Sequence, residues 1–385
     1  MAIIDSDGHV FETRNFWRDH APAKDHDKLL SIVDDENGYA WLAIGDQRTN
    51  VFAWWGEPGD WTSGKIARQT SRQVAGTKAD RNYDDMPRDH WDVEARLAHI
   101  RAWGIDQAIE FPQWTFLAKS VFESDVEAVH ANFAAWNRFA LEVQQIGGGT
   151  YLPAGIISFE QNFSFAEEQL RALAEGGVKL ALMTPDLINE KRLSHPDNER
   201  VWQLFVDYGI APVWHISTAS TVVSKEWVDN EPGWYKVLEA SFSRIQPQLC
   251  LTDLAVNGTF HKFPDLMVAL VEYRPDWLPQ LLFRMDNSYN MRLTHHGGVL
   301  APEMDMKPSD YVRRQTRFSV FAEESPVQLA ERLGSTELLM WGSDYPHPEG
   351  IDNPLDTFES QARAKGTPLE NGLYGGNAAA LLQRA

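Results

Sequence analysis

The two ends of the chain carry the same pattern, a short apolar segment that stops at carboxylate and imidazole groups. Residues 3–10 read IIDSDGHV, and residues 338–347 read LLMWGSDYPH. An apolar segment of this length predicts a buried strand, and polar groups at the carboxyl end of a strand are typical of a barrel active site. Two such strands at opposite ends of the sequence can share one site only if the sheet between them closes.

Composition limits the class of protein. The 385 residues are 43% hydrophobic and 23% charged, which is typical of a water-soluble globular protein. No apolar segment approaches the roughly 18 residues of a membrane helix. The N-terminus lacks the basic, then apolar, then small residues of a signal peptide. Cys250 is the single cysteine, so no internal disulfide forms, and we expect a cytoplasmic location. The formal charge of −20 argues against nucleic-acid and anionic-membrane partners.

Between the two ends, apolar segments alternate with amphipathic ones. Strands are predicted at residues 2–7, 107–111, 151–158, 178–184, 211–216, 267–273, 318–321 and 337–342. Helices are predicted between them, for example at residues 92–103, 126–143, 165–174 and 199–207. Continuous apolar strands that alternate with helices indicate a parallel sheet covered by helices. Eight such strands predict a closed (β/α)8 TIM barrel, which forms one domain over residues 1–385.

Three connections are too long for this simple alternation. Residues 34–89 are rich in turns and aromatic residues, and residues 217–247 and 288–308 are also long. Long connections are commonly functional, and in a barrel these would lie on the face that carries the polar strand ends. We interpret residues 34–89 as an inserted lid. Trp54, Trp55 and Trp61 would pack there on an aromatic or alicyclic substrate, with a subunit interface as the alternative.

Four side chains at predicted strand ends are candidate metal ligands. Asp7 and His9 are two residues apart on an extended segment, so both point to the same side. His215 ends the segment APVWH, and Asp344 follows LLMWGS. Two imidazoles and two carboxylates suit zinc, manganese or iron(II). Taken singly, each residue also fits a turn, a hydrogen-bonded core histidine or a helix cap, and only their combination on one face favours a metal.

An ordered set of further motifs accompanies these strand ends. The set consists of WDVEARL at 91–97, GID at 104–106, AWNR at 135–138, LSHP at 193–196, Gly258, FPDL at 263–266, VE at 271–272, WLP at 277–279, KPSDY at 307–311, GSDYPH at 342–347 and GNAA at 376–379. Together they resemble the second amidohydrolase family, the group related to aminocarboxymuconate-semialdehyde decarboxylase. Outside the three long connections, the resemblance covers most of the chain.

The resemblance implies a metal-dependent (β/α)8 enzyme with one divalent ion held by Asp7, His9, His215 and Asp344. Many relatives have His-x-His where this chain has Asp7 and His9. The added negative charge favours manganese or iron(II) without excluding zinc. Many relatives also have a His-Gly pair at the end of the sixth strand, where this chain has Glu272. This departure leaves the choice of reaction open.

The mechanism that we favour is centred on the metal and gives these residues roles in catalysis. Asp344 would be both a ligand and the general base that orients a metal-activated water, and Glu272 or His347 would carry a second proton transfer. Glu272 has a salt bridge with Arg274 or with another arginine at the barrel rim as its alternative role. His347 has the bracing of its own loop as the alternative that we favour.

Three further polar residues, one glutamate and a pair of histidines, are placed near the pocket by sequence position alone. Glu12 would orient His9 by accepting its second ring N–H, or it lies at the surface. His295 and His296 would reach the pocket, or they are solvated loop residues.

Three functions remain open at this stage. The first is hydrolysis of a cyclic or aromatic amide, lactone or activated C–C bond. The second is non-oxidative decarboxylation of an aromatic or unsaturated carboxylic acid, which requires a carboxylate-binding arginine, with Arg274 and Arg284 as candidates. The third is a non-catalytic binding barrel. We rank them in this order and expect a small-molecule substrate and a homodimer.

Overall fold

The computed structural model describes residues 2–36, 38–53, 83–122, 125–216, 242, 244–295, 304–347, 354–365 and 371–385. The strands are β1 (Ile4–Val10), β2 (Leu30–Asp34), β3 (Ala40–Ile44), β4 (Gln47–Phe52), β5 (Gln107–Pro112), β6 (Tyr151–Pro153), β7 (Gly155–Ile156), β8 (Leu180–Leu182), β9 (Ala211–His215), β10 (Val268–Val271), β11 (Thr316–Val320) and β12 (Leu339–Trp341). Every predicted strand has an observed counterpart within a few residues of its predicted bounds.

The helices lie mostly between these strands. They are α1 (Phe16–Asp19), α2 (Val93–Ala102), α3 (Ala118–Phe122), α4 (Val126–Ile146), α5 (Phe163–Glu175), α6 (Glu199–Tyr208), α7 (Ile245–Val256), α8 (Thr259–Lys262), α9 (Leu278–His295), α10 (Pro308–Gln315), α11 (Pro326–Leu333), α12 (Pro354–Lys365) and α13 (Asn377–Arg384). In the described part of the chain, no helix is both long enough and apolar enough to cross a membrane.

The parallel strands pair in chain order. β1 pairs with β5 and β5 with β6, while β7 pairs with β8 and the pairing continues in order through β9, β10, β11 and β12. These are two separate sheets, but only Ala154 separates β6 from β7. At the other gap, a parallel bridge joins Gly8 of β1 to Tyr345, just beyond β12. With both gaps spanned, this order is that of a (β/α)8 barrel.

The strands are buried on both faces because helices cover the outside and side chains fill the inside. All seven residues of β1 and all five of β9 are buried. Fully buried aromatic side chains such as Trp202, Trp214 and Trp341 belong to the same core. Strands that are buried on both faces read as continuous apolar segments, which is why the sequence pattern identified them.

Local capping fixes where several helices begin. The side chain of Asp125 accepts a hydrogen bond from the backbone N–H of Ala128 at the start of α4, and Asn162 does the same for Phe165 at the start of α5. α6 ends at Gly209, whose φ of +58° is the left-handed conformation that glycine adopts without strain. These caps set the helices that return the chain to the next strand.

The predicted lid contains regular structure that the sequence pattern did not reveal. β2, β3 and β4 form a three-stranded antiparallel sheet that occupies residues 30–52. Residues 54–82 of the predicted lid, with Trp54, Trp55 and Trp61, lie outside the described residues. The role of this region as a lid stays a prediction.

Candidate metal centre

The polar side chains predicted from the strand ends lie at one end of the barrel. Asp7 and His9 belong to β1, and His215 is the last residue of β9. Glu272 follows β10 directly, and Asp344 comes three residues after β12 ends. Because the carboxyl ends of parallel strands share one face of a barrel, these five residues converge on the same site.

At two of these positions the backbone is in a conformation that non-glycine residues rarely adopt. Glu272 has φ +64° and Asp344 has φ +56°, both in the left-handed region. A non-glycine residue there costs of order 1–3 kcal/mol and persists only when its surroundings hold it. Such residues are concentrated at functional sites, which supports a functional role for both carboxylates.

Three side chains form the inner part of the cluster. Asp7 Oδ1 lies 3.4 Å from His9 Nε2 and 3.5 Å from His215 Nε2, and the two imidazole rings are 5.0 Å apart at an angle of 83°. Asp7 and His9 are fully buried. Their donor atoms all lie within 4.8 Å of one another, as a shared cation requires.

Hydrogen bonding provides a test of whether these residues fit a metal ion. Both carboxylate oxygens of Asp7, both ring nitrogens of His9 and Nε2 of His215 are buried and make no hydrogen bond within the described part of the chain. Buried polar atoms are nearly always paired, so five such atoms in one place indicate a missing partner. A mixed nitrogen and oxygen donor set fits a divalent transition-metal ion.

A second group of donors adjoins the first. Donor atoms of His9, Glu272, Asp344 and His347 lie within 4.8 Å of one another, and His9 Nε2 is 3.6 Å from Asp344 Oδ1. His347 Nδ1 is 2.6 Å from Asp344 Oδ1, and its ring stacks on that of His9 with centroids 3.9 Å apart. His347 therefore belongs to the cluster and contacts two of the predicted ligands.

The electrostatic environment keeps Asp7 and His9 in the protonation states that bind metals, whereas the pKa of His215 is raised, because the hydrogen bond and charge of Asp7 outweigh the opposing effect of burial. Burial alone would raise the pKa of Asp7, but the imidazoles of His215 and His9 lower this pKa to about 2. Burial lowers the pKa of His9 to about 3. At neutral pH the site thus presents an ionised carboxylate and a neutral imidazole, the forms in which both coordinate a cation.

Glu272 differs from the other carboxylates. Burial, reinforced by the negative charge of Asp344, raises the pKa of Glu272 well above its ordinary value. Glu272 Oε2 lies 3.5 Å from His215 Nε2, and its side chain is 18% exposed, so it borders both the cluster and the solvent side. The expected alternative partner, Arg274, instead has its Nε 3.4 Å from Glu324 Oε1.

Glu12 does not orient His9 as the sequence suggested. Its buried carboxylate accepts hydrogen bonds from the backbone N–H groups of Gln113, Trp114 and Thr115 and from the hydroxyl of Thr115. These bonds fix the turn after β5. The side chain of Gln113 in that turn contacts His347 Nε2. Glu12 is therefore linked to the cluster indirectly, through this turn.

Sequence reasoning missed Gln113 as a contact of the cluster. The residue directly follows the observed strand β5, two positions beyond the predicted end of that strand. The pattern that identified the candidate ligands sought carboxylates and imidazoles, so it passed over an amide. The side chain of His295, at the end of α9, and the whole of His296 lie outside the described residues, and their roles stay predictions. Arg284 is exposed on α9.

Aromatic rings line one side of the cluster. The ring of Phe111 is 5.3 Å from that of His215 and 6.1 Å from that of His9, and the ring of Phe116 is 5.7 Å from His215. A cavity of about 330 Å³, including its open mouth, reaches His215; it is lined by Phe116, Phe133, Ile156, Ile157, Leu182, Met183 and Thr184. An apolar cavity next to a polar cluster is typical of a small-molecule site.

The whole chain matches one protein family. The model of this amidohydrolase family covers residues 4–384. The chain belongs to the second amidohydrolase family. The sequence resemblance is thereby confirmed over almost every residue. No curated protein sequence matches the chain.

Solved structures confirm the fold of this family member. An amidohydrolase from Mycobacterium avium subsp. paratuberculosis K-10 has a TM-score of 0.79 at 19% identity, with 99% of each chain covered. The 5-carboxyvanillate decarboxylase of Sphingomonas paucimobilis has a TM-score of 0.63 at 18% identity, with the same coverage. A dihydroxybenzoic acid decarboxylase from Polaromonas sp. JS666, with bound manganese and the inhibitor 2-nitroresorcinol, has a TM-score of 0.58 at 13% identity, covering 99% of this chain and 97% of that one.

Proposed function

We propose that this amidohydrolase-family enzyme is a metal-dependent, non-oxidative decarboxylase of an aromatic carboxylic acid. The observation that carries the proposal is the buried cluster of Asp7, His9 and His215 beside the rings of Phe111 and Phe116. With a cation bound, such a site would combine positive charge for a carboxylate with an apolar wall for an aromatic ring.

The structural relatives reverse the order of the two leading interpretations. The sequence ranked hydrolysis first and decarboxylation second. Two of the relatives above are decarboxylases of aromatic acids, and their chains match this one along nearly the whole length. Their similarity supports decarboxylation over hydrolysis as the first hypothesis to test.

Asp7, His9, His215 and Asp344 would hold the metal ion. Manganese is the ion we would test first, because the Polaromonas enzyme contains it and because the carboxylate-rich donor set suits a hard cation. When bound, the ion supplies positive charge that attracts substrate oxygens and stabilises developing negative charge.

The protein side chains account for the proton and for the geometry of the site. Decarboxylation breaks the bond between the ring carbon and the carboxylate, CO₂ leaves, and a proton takes its place on the ring carbon. We assign delivery of this proton to Glu272, which borders the cluster at the end of β10. His347, which contacts both Asp344 and Gln113, holds the Asp344 carboxylate in place.

The two arginines proposed as substrate anchors have other surroundings in the structure. Arg274 is half exposed and forms its ion pair with Glu324, while Arg284 is exposed on α9. We therefore do not assign the substrate carboxylate to either guanidinium. The apolar contacts of the substrate ring would instead come from Phe111 and Phe116.

The proposal is tested by isotope labelling, which follows the proton added to the ring and any oxygen added from water. Manganese-loaded protein is incubated in D₂O with a panel of hydroxylated aromatic acids, cyclic amides and lactones, and CO₂ and products are measured by mass spectrometry. We expect release of CO₂ and one deuterium on the vacated ring carbon. A parallel reaction in H₂¹⁸O separates the alternatives, since ¹⁸O in the product without CO₂ would establish hydrolysis and refute decarboxylation.

Variants connect the reaction to the site. Asp344→Asn and His215→Ala should each lose bound metal by elemental analysis and lose CO₂ release. Glu272→Gln should keep the metal and lose turnover. His261, which is 41% exposed and bonds to Tyr311 outside the cluster, provides the matched histidine control, and His261→Gln should behave as the wild type.

A further inference from the structure

The joint between the first and last barrel strands carries most of the candidate ligands. Here no regular ladder pairs β1 with β12. Instead, the N–H of His9 donates to Tyr345 O at 2.7 Å, and the N–H of Asp344 donates to Asp7 O at 2.8 Å. The spacing between Asp7, His9 and Asp344 therefore depends on two backbone hydrogen bonds and on the side chains that bridge these segments.

Arg96 ties these segments together from outside the barrel, in addition to the Ser6 hydroxyl, which donates to Trp341 O, and the Asp5 carboxylate, which accepts from the N–H of Ser343. Arg96 lies on α2 and is 3% exposed. Its Nη2 donates to His9 O at 2.6 Å, its Nη1 donates to Tyr345 O at 3.4 Å, and its Nε donates to Asp89 O at 2.7 Å. One rigid guanidinium thus contacts the carbonyl of one candidate ligand and the carbonyl of the residue directly after another.

The surroundings of Arg96 are built to hold its charge in the interior. Nη1 lies 3.3 Å from both carboxylate oxygens of Glu110, and the guanidinium packs over the ring of Tyr345 at 4.7 Å. A buried cation needs such a partner because desolvation is costly. Gly8 leaves the space for Glu110, since a Cβ at this position would be 2.9 Å from Glu110 Oε2.

We propose that Arg96 is a positioning residue for the metal centre, which sets the separation of His9 and Asp344 by binding the backbone on both sides of the joint. The inference rests on the proposed metal site but not on the identity of the reaction. A guanidinium has five N–H groups in a planar fork, so it reaches several carbonyls at once. The single ammonium of a lysine cannot reproduce this arrangement.

The experiment measures metal affinity and stability separately. Wild type, Arg96→Met and Arg96→Lys are stripped with chelator and titrated with Mn²⁺, and free Mn²⁺ is quantified by electron paramagnetic resonance. Thermal unfolding of the metal-free proteins is recorded in parallel. Arg317 provides the matched control, because it also donates to two backbone carbonyls, those of Arg313 and Thr316, but at the opposite end of a barrel strand.

We expect Arg96→Met to weaken Mn²⁺ binding by about tenfold or more, the range found when groups that orient metal ligands are removed. Arg96→Lys should weaken Mn²⁺ binding less, but by at least threefold. If Arg96→Met does not fold, the lysine variant alone provides the test. Arg317→Met should bind Mn²⁺ within twofold of wild type even if its unfolding temperature falls. The bound-Mn²⁺ spectrum should broaden or shift in the Arg96 variants only.

Three results would overturn the proposal. They are wild-type affinity in a folded Arg96 variant, an equal loss of affinity in Arg317→Met, and absence of Mn²⁺ binding in wild type. The last result would refute the metal site itself. Failure to release CO₂ while Mn²⁺ still binds would refute the decarboxylase alone and leave the role of Arg96 supported.

Discussion

Replacing Glu12 by glutamine should change how the stability of the protein depends on pH. The Glu12 carboxyl is fully buried, and burial raises its pKa from the ordinary 4.5 to about 7, although four donors from Gln113, Trp114 and Thr115 oppose this shift. The folded protein therefore holds a proton that the unfolded chain releases between these two values. Stability from this group is fully present below pH 4.5 and is lost as the pH rises through 7.

The size of the effect follows from the two pKa values. Each pKa unit is equivalent to about 1.4 kcal/mol, so the shift of Glu12 corresponds to about 3 kcal/mol in total. Between pH 5 and pH 8 the unfolding free energy of wild type should fall by about 2 to 3 kcal/mol relative to Glu12→Gln. The hydrogen bonds that glutamine fails to make lower the stability of the variant by a constant amount, which cancels in this comparison.

The assay is urea unfolding of both proteins at several pH values, with chelator present so that metal binding does not contribute. Glu168→Gln, at an exposed position of α5, is the matched control and should run parallel to wild type. If the advantage of wild type over Glu12→Gln instead grows with pH, the four donors dominate and Glu12 is an ionised structural carboxylate. A constant difference would also refute the reasoning.

Three other predictions test packing and metal binding. Gly375→Ala should destabilise the protein by about 1–3 kcal/mol in urea unfolding, because the new Cβ would lie 1.9 Å from the backbone oxygen of Ala2. Trp136→Phe should cost about 1–3 kcal/mol in the same assay, since the carbonyl of Ala154, between β6 and β7, loses its indole N–H donor. A hundredfold excess of Mn²⁺ over its Kd should stabilise wild type by about 2.7 kcal/mol in thermal unfolding and leave Asp7→Asn unchanged.

The elements of the barrel were predictable because burial on both faces leaves a strong local signal. Segments such as APVWH at β9 are apolar throughout and end at a polar residue, so both the strand and its terminal His215 could be identified. The same reasoning found Asp7, His9 and Asp344. Each candidate ligand can be identified from the sequence of its own strand. The closure of the barrel then brings the ligands together.

The contacts that the sequence did not reveal span long separations along the chain. Arg96 contacts the backbone of His9 and Tyr345, which are 87 and 249 residues away. Glu12 bonds to a turn about 100 residues further on, and Gln113 contacts His347 across 234 residues. No periodicity within a window of 10 to 20 residues contains such information, so these contacts emerge only from the folded chain.

The antiparallel sheet of β2, β3 and β4 was missed for a different reason. The segments are short, and residues 30–34 alternate between buried and partly exposed positions, unlike the fully buried barrel strands. A search for continuous apolar segments passes over such half-buried strands. Residues 34–52 lie outside the regular alternation of strand and helix, and the role of residues 34–89 as an inserted lid stays a prediction.

The strained backbone at Glu272 and Asp344 connects fold to function. Each residue directly follows or closely follows a barrel strand, and each holds a left-handed conformation that neighbouring contacts must maintain. Asp344 is held by its N–H bond to Asp7 O and by the contact of its carboxylate with His347. A site fixed in this way is present before any ligand binds, so little binding energy is spent on ordering it. The same contacts that close the barrel therefore also position the side chains of the candidate metal centre.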